Sequence, residues 1–324
     1  MGSVVDPELL HLAGELPELM LDRWSDNTNK SYLGAYKKFQ LWAKKFAEIC
    51  QMPVSPGHLC IYLVHLGQLE LSISSITAVI AGISWAHHMC GCSSPTDNVT
   101  VKSTVTGLKR RLSKPRSVSS PILPTHIEKI VSQSDLSDLQ ELRVVCVILL
   151  SYAGFLRFNE VSSIRSEHLS FSSTHLEIFL PKAKNDQFRQ GQTVFITRLH
   201  NENCPVALTE RYIEVANMDI KIHQFLFKNM QFKNGKVILS NIDKAMTYTR
   251  TKEVVQKKFI QIGLDKQSYK LHSLRAGGTT AACNSHLPDR FVQRHGRWRS
   301  DAVKNRYVTD SLEDLLSVSK NLGL

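Results

Sequence analysis

No stretch of this sequence is long and apolar enough to cross a bilayer. The longest apolar run, VVCVILLSYAGFL from Val144 to Leu156, falls short of the roughly 20 residues a spanning helix needs and carries polar positions at Ser151 and Tyr152. The opening stretch MGSVVDPELLHLAGELPEL lacks a basic start and a continuous apolar segment, so no secretory signal is expected. Cysteines number seven, an odd count scattered without a framework. That excludes a disulfide scaffold and suits reduced thiols in a cytosolic or nuclear protein. No cluster of Asp and Glu offers a hard-cation site. The one metal-like string, HHMCGC at residues 87–92, crowds its candidate ligands too closely for a usual zinc spacing and reads as a helix-to-loop transition. No repeat of solenoid length is present.

What the sequence does have is basic charge. The 324 residues carry a net charge of +11, with a sequence pI near 9.3. Such a surplus fits a polyanionic partner such as nucleic acid, with an acidic membrane surface or no specific partner as the alternatives. It is uneven: residues 1–120 hold 12 Lys/Arg against 9 Asp/Glu, and residues 121–324 hold 28 against 20. Hydrophobic content of 42% and charged content of 21% are those of an ordinary soluble globular protein, and the length suits two domains.

The stretch SKPRSVSSPILPT concentrates Pro, Ser and basic residues between two patterned regions, which sets expected boundaries of a helical domain at 1–114, a linker at 115–124 and a second domain at 125–324. Before the linker the patterned segments look helical. SDNTNKSYLGAYKKFQLWAKKF offers caps at Ser25, Asp26 and Thr28, then spaces Tyr32, Tyr36, Phe39 and Trp42 along one helix face, with Lys37 and Lys38 on the other. HLCIYLVHLGQLE, SISSITAVIAGISWAHHM and DNVTVKSTVTGLKRRL supply further helices. The bundle ends in LKRRLSKPR, where Lys109, Arg110, Arg111, Lys114 and Arg116 form a second basic cluster. Either cluster can touch phosphates or simply be a solvated face.

After the linker the pattern is mixed. THIEKIVSQ and LQELRVVCVILLSYAGFLRFNEVSSI read as helices, and HLEIFLPKAKND and QGQTVFI as two strands around a lysine-rich turn. CPVALTERYIEVANM, TKEVVQKKFIQIGL, LRAGGTTAACNSH and SLEDLLSVSKNLGL return to helix. The expected class is mostly α with a small β-hairpin, an α+β second domain.

Four separated places in that domain carry groups a phosphate site would want. In GFLRFNEVSSIR, Arg157 interrupts an apolar helix with Glu160 at i+3. The pair is either a local ion pair or an arginine fork held for a phosphate. The hairpin turn PKAKNDQFRQG holds lysines that are either solvated or able to protonate a leaving oxygen. In LHSLRAGGTTAA, His272 and Arg275 share one helix face. His272 is a cap or core residue near a helix start, or the two are a proton carrier and a second guanidinium for a phosphorane. In HGRWRSDAVKNRYV, Trp298 precedes Tyr307 by nine residues. An indole only donates. A tyrosine hydroxyl, ordinarily titrating near pH 10, attacks phosphorus only when cations or a base activate it.

In this order and spacing the residues resemble the tyrosine recombinases, the lambda-integrase family. The match runs through Arg157 and Glu160 in GFLRFNE, a hairpin lysine, His272 and Arg275 in HSLRAGG, Trp298 in GRW and Tyr307 in NRYV. Trp298 stands where the family commonly has His, as in a Cre-like subset. His295 is the less suitable occupant, because it precedes Tyr307 by twelve residues. The resemblance selects Lys184 over Lys182 as the hairpin lysine and covers nearly the whole chain. KNDQFRQG, CPVALTERY and QRHGRWRSDAVKNRYV are most similar in look to recombinases of eukaryotic mobile elements, the Crypton and DIRS-like groups.

The resemblance implies a two-domain DNA clamp with an N-terminal core-binding, SAM-like domain. Tyr307 would attack a phosphodiester of double-stranded DNA, Arg157 and Arg275 would clamp it, His272 and Trp298 would bond its oxygens, and Lys184 would protonate the leaving 5′-oxygen. It also implies no cofactor or metal, dimers on one site and tetramers in synapsis, no membrane, and a nuclear location in a eukaryote. The rival readings are a type IB topoisomerase and a catalytically silent DNA-binding protein.

Overall fold

The computed structural model describes residues 5–114, 119–181, 191–233 and 235–323. The chain divides into two compact units, residues 1–116 and 117–324.

In the first unit, side-chain caps start the helices. The Asp6 carboxylate accepts the Glu8 and Leu9 N–H groups at the head of α1 (Pro7–Leu21), a helix that buries no residue. Ser25, Ser55 and Ser72 cap α2 (Asp26–Ala43), α3 (Pro56–Gln68) and α4 (Ile73–Met89), and Asn98 caps α5 (Val99–Leu112). Each satisfies an N–H that the helix itself cannot. Helical periodicity then sends Tyr36, Phe39 and Trp42 of α2 inward against Leu59, Tyr62 and Leu63 of α3 and Ile76 and Ile83 of α4. The opposite face keeps Lys37 and Lys38 exposed. HHMCGC closes α4: His87 is buried, its Nε2 accepting from the Val54 N–H at 3.1 Å and its Nδ1 donating to the Ser93 carbonyl at 2.8 Å.

The second unit is built around a buried helix. After α6 (Pro124–Ser132), α7 (Leu139–Ala153) buries most of its fifteen residues, including the continuous run Val144–Leu150. The sequence reading carries this helix through Arg157, and the structure corrects it. Gly154 caps α7, Phe155 adopts a left-handed φ of 47°, and the Leu156 N–H returns to the Ser151 carbonyl at 3.0 Å. That closure ends the helix. A separate helix, α8 (Phe158–Ser162), begins with Arg157 at its cap. Arg157 therefore stands at a helix start rather than inside an apolar helix.

β1 (Leu169–Phe171), β2 (His175–Leu180) and β3 (Gln192–Thr197) form an antiparallel sheet in that order. Leu176 pairs with Ile196 and Ile178 with Val194, so alternate residues of both strands face the core. Past α9 (Pro205–Val215), β4 (Met230–Lys233) and β5 (Lys236–Leu239) make a second antiparallel pair. The sequence reading has neither β1, only three residues long, nor this hairpin, whose strands are half-exposed or exposed throughout.

The chain finishes with α10 (Tyr248–Gln261), α11 (Leu271–Asn284), α12 (Asp289–Gly296), α13 (Asp301–Lys304) and α14 (Leu312–Lys320). None of the described helices is long and apolar enough to cross a membrane. Two glycines bring α11 against its neighbours. A β-carbon at Gly277 would lie 2.1 Å from the Ile122 carbonyl, and one at Gly278 would lie 2.2 Å from the Tyr152 carbonyl and 2.7 Å from the Phe155 ring. Close backbone approach there seats α11 on the end of α7, beside the turn that leads to Arg157. The substitution Gly278→Ala should therefore destabilise the second unit by about 1–3 kcal/mol, as overpacking does, despite alanine's better helix propensity. A thermal melt with an unchanged midpoint would contradict this packing account.

Candidate active site

Burying a carboxylate is costly unless cations and N–H donors surround it. Glu160, third residue of α8, has a side chain only 3% exposed. It reaches back to its own helix start, where Oε2 accepts the Arg157 backbone N–H at 2.8 Å. Oε1 accepts from Arg157 Nη1 at 2.7 Å, and Oε2 from Arg297 Nη2 at 3.0 Å. Arg275 Nη1 stands 3.7 Å from Oε2. Three guanidiniums from three segments thus converge on one carboxylate. The Arg157–Glu160 ion pair considered from sequence is present, and it is part of this larger cluster.

Burial alone raises the Glu160 carboxyl, but Arg297, the Arg157 N–H, Arg157 and Arg275 together bring it below the ordinary carboxylate range. Arg275 is fully buried on α11. Burial first, then the Arg157 and Arg297 charges, pushes its guanidinium below its usual value, while Glu160 and Tyr307 pull it back. Three cations against one anion leave an excess of positive charge that suits a bound anion.

The aromatic groups sit on the same cluster. The Arg275 guanidinium carbon lies 4.6 Å from the Trp298 ring centre and 5.2 Å from that of Tyr307, and the two rings are 5.4 Å apart. Arg275 Nε and Trp298 Nε1 are buried and have no hydrogen-bond partner among the described residues. Both are donors only, as is the equally buried and unpartnered Nε of Arg297. The nine-residue spacing to Tyr307 comes from the loop after Trp298, the short α13 and the turn that follows. Thr280 of α11 fixes the nucleophile candidate's backbone: its hydroxyl donates to the Tyr307 carbonyl at 3.1 Å and accepts the Thr309 N–H at 3.2 Å. Lys304, buried on α13, pairs with Asp289 and Asp301. Phe155, Val292 and Trp298 form a small cluster of their own, with Cys283, Val303 and Tyr307 packed on it.

The structure thus brings together Arg157, Glu160, Arg275, Trp298 and Tyr307. His272 lies exposed on α11, one turn before Arg275. Lys184, Lys182 and Arg116 lie outside the described residues. His295 is engaged with the end of α7, its Nε2 2.7 Å from the Ala153 carbonyl and its ring edge-on to Phe155. Burial, countered in part by the bond to Ala153, keeps its imidazole below the usual value. Lys37, Lys38, Lys109, Arg110, Arg111 and Lys114 are exposed in the first unit. Arg297, absent from the sequence reading, is the member that reasoning missed. In QRHGRWRS it is one arginine among several, and nothing in its spacing marks it for burial.

Residues 122–313, more than half of the chain, match the Phage integrase family. The chain belongs to that family. A curated relative, an integrase/recombinase described as a xerD homolog from Selenomonas ruminantium, is 24% identical over 290 residues, spanning 88% of this chain and 82% of the relative. Among solved structures, the XerH site-specific recombinase bound to a palindromic difH substrate after cleavage has a TM-score of 0.61 at 16% identity, covering 89% of this chain and 76% of that one. A lambda integrase tetramer bound to a Holliday junction has a TM-score of 0.58 at 12% identity, covering 93% and 77%. At these identities the structural likeness speaks to the fold of the integrase-family chain.

Removing the shared carboxylate should expose its role. Glu160→Gln leaves buried guanidiniums without their counter-ion and should cost about 3–5 kcal/mol at neutral pH. The folded carboxyl is depressed, so its stabilisation is fully present above the ordinary value near 4.5 and is lost as pH falls through the lower folded value. Denaturant titrations should find the gap between wild type and variant shrinking below that pH. A gap independent of pH would speak against the charge account.

Proposed function

We propose that this integrase-family chain is a site-specific DNA recombinase that breaks and rejoins duplex DNA through a 3′-phosphotyrosine. The observation that carries the reading is the convergence of Arg157, Arg275, Trp298 and Tyr307, from four separate segments, around the buried Glu160. In the forward step the Tyr307 hydroxyl gives its proton to the His272 imidazole, its oxygen forms a bond to phosphorus and the bond from phosphorus to the 5′-oxygen breaks. Arg157 and Arg275 neutralise the nonbridging oxygens, and His272 and Trp298 hydrogen-bond them. Lys184 gives the departing 5′-oxygen its proton. The reverse attack by another strand's 5′-hydroxyl reseals the DNA without external energy, because the phosphodiester's energy is kept in the tyrosyl ester.

Residues 1–114 serve in this reading as a core-binding domain that places Lys37, Lys38, Lys109, Arg110, Arg111 and Lys114, together with Arg116 of the linker, on DNA phosphates. The solved XerH and lambda integrase structures, one bound to a difH substrate and the other to a Holliday junction, support that partner. Self-association on DNA, dimers on one site and tetramers in synapsis, is supported by α14. It buries no residue and leaves Leu312, Leu315, Leu316 and Val318 between 55% and 72% exposed. That exposed stripe favours a multi-subunit enzyme over a monomeric topoisomerase. The finer assignment, a eukaryotic mobile element of the Crypton or DIRS-like kind acting in the nucleus, is supported by the phrases KNDQFRQG and QRHGRWRSDAVKNRYV.

The test is a suicide substrate. Nicked duplexes from the element's ends, incubated with the protein in EDTA, should give a covalent adduct on a denaturing gel that Tyr307→Phe abolishes. Salt-sensitive binding with no adduct on those ends would favour a silent DNA-binding protein. For assembly, Leu315→Glu with Leu316→Glu should leave monomer binding intact and remove the slower-migrating complexes in a mobility-shift assay. Unchanged complexes would exclude α14 as the contact.

A further inference from the structure

We infer that Arg297 is a positioning residue of the cleavage site, its terminal nitrogens tying the turn that aims Arg157, the Glu160 carboxylate and the end of α12 into one rigid unit. The inference rests on the strand-exchange reading above.

Arg297 occupies the C-cap of α12 with φ 57° and ψ 40°, a left-handed conformation that a β-carbon disfavours. A strained backbone of this kind persists where its surroundings hold it in place. Here the side chain supplies the hold. It is 4% exposed, and its terminal nitrogens are fully used. Nη1 donates to the Gly154 carbonyl at 3.1 Å and to the His295 carbonyl at 2.7 Å, and Nη2 donates to the Phe155 carbonyl at 3.0 Å and to Glu160 at 3.0 Å. With four N–H groups committed, the guanidinium has no terminal donor left for a substrate and only its buried Nε lacks a partner among the described residues, whereas the side chain of Arg157 is 13% exposed and makes one hydrogen bond among the described residues, Nη1 to Glu160.

The bonds also fall on the places where misplacement would matter. Gly154 and Phe155 form the turn between α7 and Arg157, and Phe155 is itself left-handed. Glu160 fixes the Arg157 backbone and guanidinium. His295 and Arg297 flank Gly296, whose carbonyl accepts from Arg275 Nη2 at 2.5 Å, and Trp298 follows directly. A fork presenting paired donors in fixed geometry can hold all of these at once, which an ammonium cannot.

The experiment compares wild type, Arg297→Gly and Arg297→Lys in single-turnover cleavage of the nicked duplex, with equilibrium binding of the same duplex measured alongside. Glycine relieves the left-handed backbone, which offsets part of the lost bonding. Arg297→Gly should cleave roughly tenfold to a hundredfold more slowly, as small misplacements of a site do, while binding stays within about threefold. Its acid limb should move to higher pH, because Glu160 then faces Arg157 from its own helix cap and Arg275 from α11 but no longer Arg297. Arg297→Lys should fall between the two in rate. Wild-type rates with an unmoved acid limb in Arg297→Gly, or rate and binding falling together, would overturn the inference. If the glycine variant does not fold, the lysine variant decides by the same two readings. A wild-type protein that forms no adduct overturns the strand-exchange reading itself, and this inference with it.

Discussion

Glu160 can stay ionised inside the second unit only because Arg157, Arg275 and Arg297 converge on it, and much of the site's geometry follows from that requirement. A buried carboxylate needs its full complement of donors, so the segments carrying the arginines are held in register: the turn after α7, the middle of α11 and the end of α12. Two of these guanidiniums also bond the Phe155 carbonyl. The local excess of positive charge is thereby a by-product of solving a desolvation problem. Surrounding one negative charge with three positive ones over-compensates it, and the surplus is what a phosphate diester can use.

Glycine and aromatic packing do the complementary work. Without β-carbons at Gly277 and Gly278, α11 settles against backbone atoms of Ile122 and Tyr152, which sets the depth at which Arg275 is presented. Trp298 and Tyr307 then cover the flat guanidinium with their ring faces. Aromatic stacking here orders the arginine and shields it from water, which strengthens its attraction for an anion.

Much of this was legible in the sequence, for identifiable reasons. Ser25 before a helical apolar stripe, and the alternation in LEIFL and TVFI, announce elements through periodicity and capping that short-range physics enforces. The order of Arg157, Glu160, Arg275, Trp298 and Tyr307 singled out residues that the fold sets side by side. The failures came where a local signal was weak or ambiguous. Phe155 in a left-handed turn is a poor statistical helix stop, so the apolar pattern of α7 runs straight through it, and Gly154 just before is the one local clue to the break. The β4–β5 hairpin carries little apolar alternation, and only the Asn-Gly pair in FKNGKV hinted at a turn. Arg297 was invisible because its burial depends on a backbone conformation that only tertiary contacts stabilise. The lysine-rich faces of the first unit stay ambiguous for the opposite reason: exposed charge looks the same whether or not it meets a phosphate.

The small cluster of Phe155, Val292 and Trp298 has a thermodynamic consequence of its own. It is distinct from the large core around α7, and Tyr307 packs on its edge rather than within that core. Stability is not uniform across a domain, and segments anchored by few apolar contacts open at a fraction of the global cost. The stretch carrying Tyr307 is secured mainly by this cluster, by Thr280 and by the Lys304 pairs. Its amides should therefore exchange with solvent deuterium sooner than those of α7, through sub-global openings that leave the main core closed. The stretch carrying Tyr307 can in this way open without the main core of the second unit opening with it.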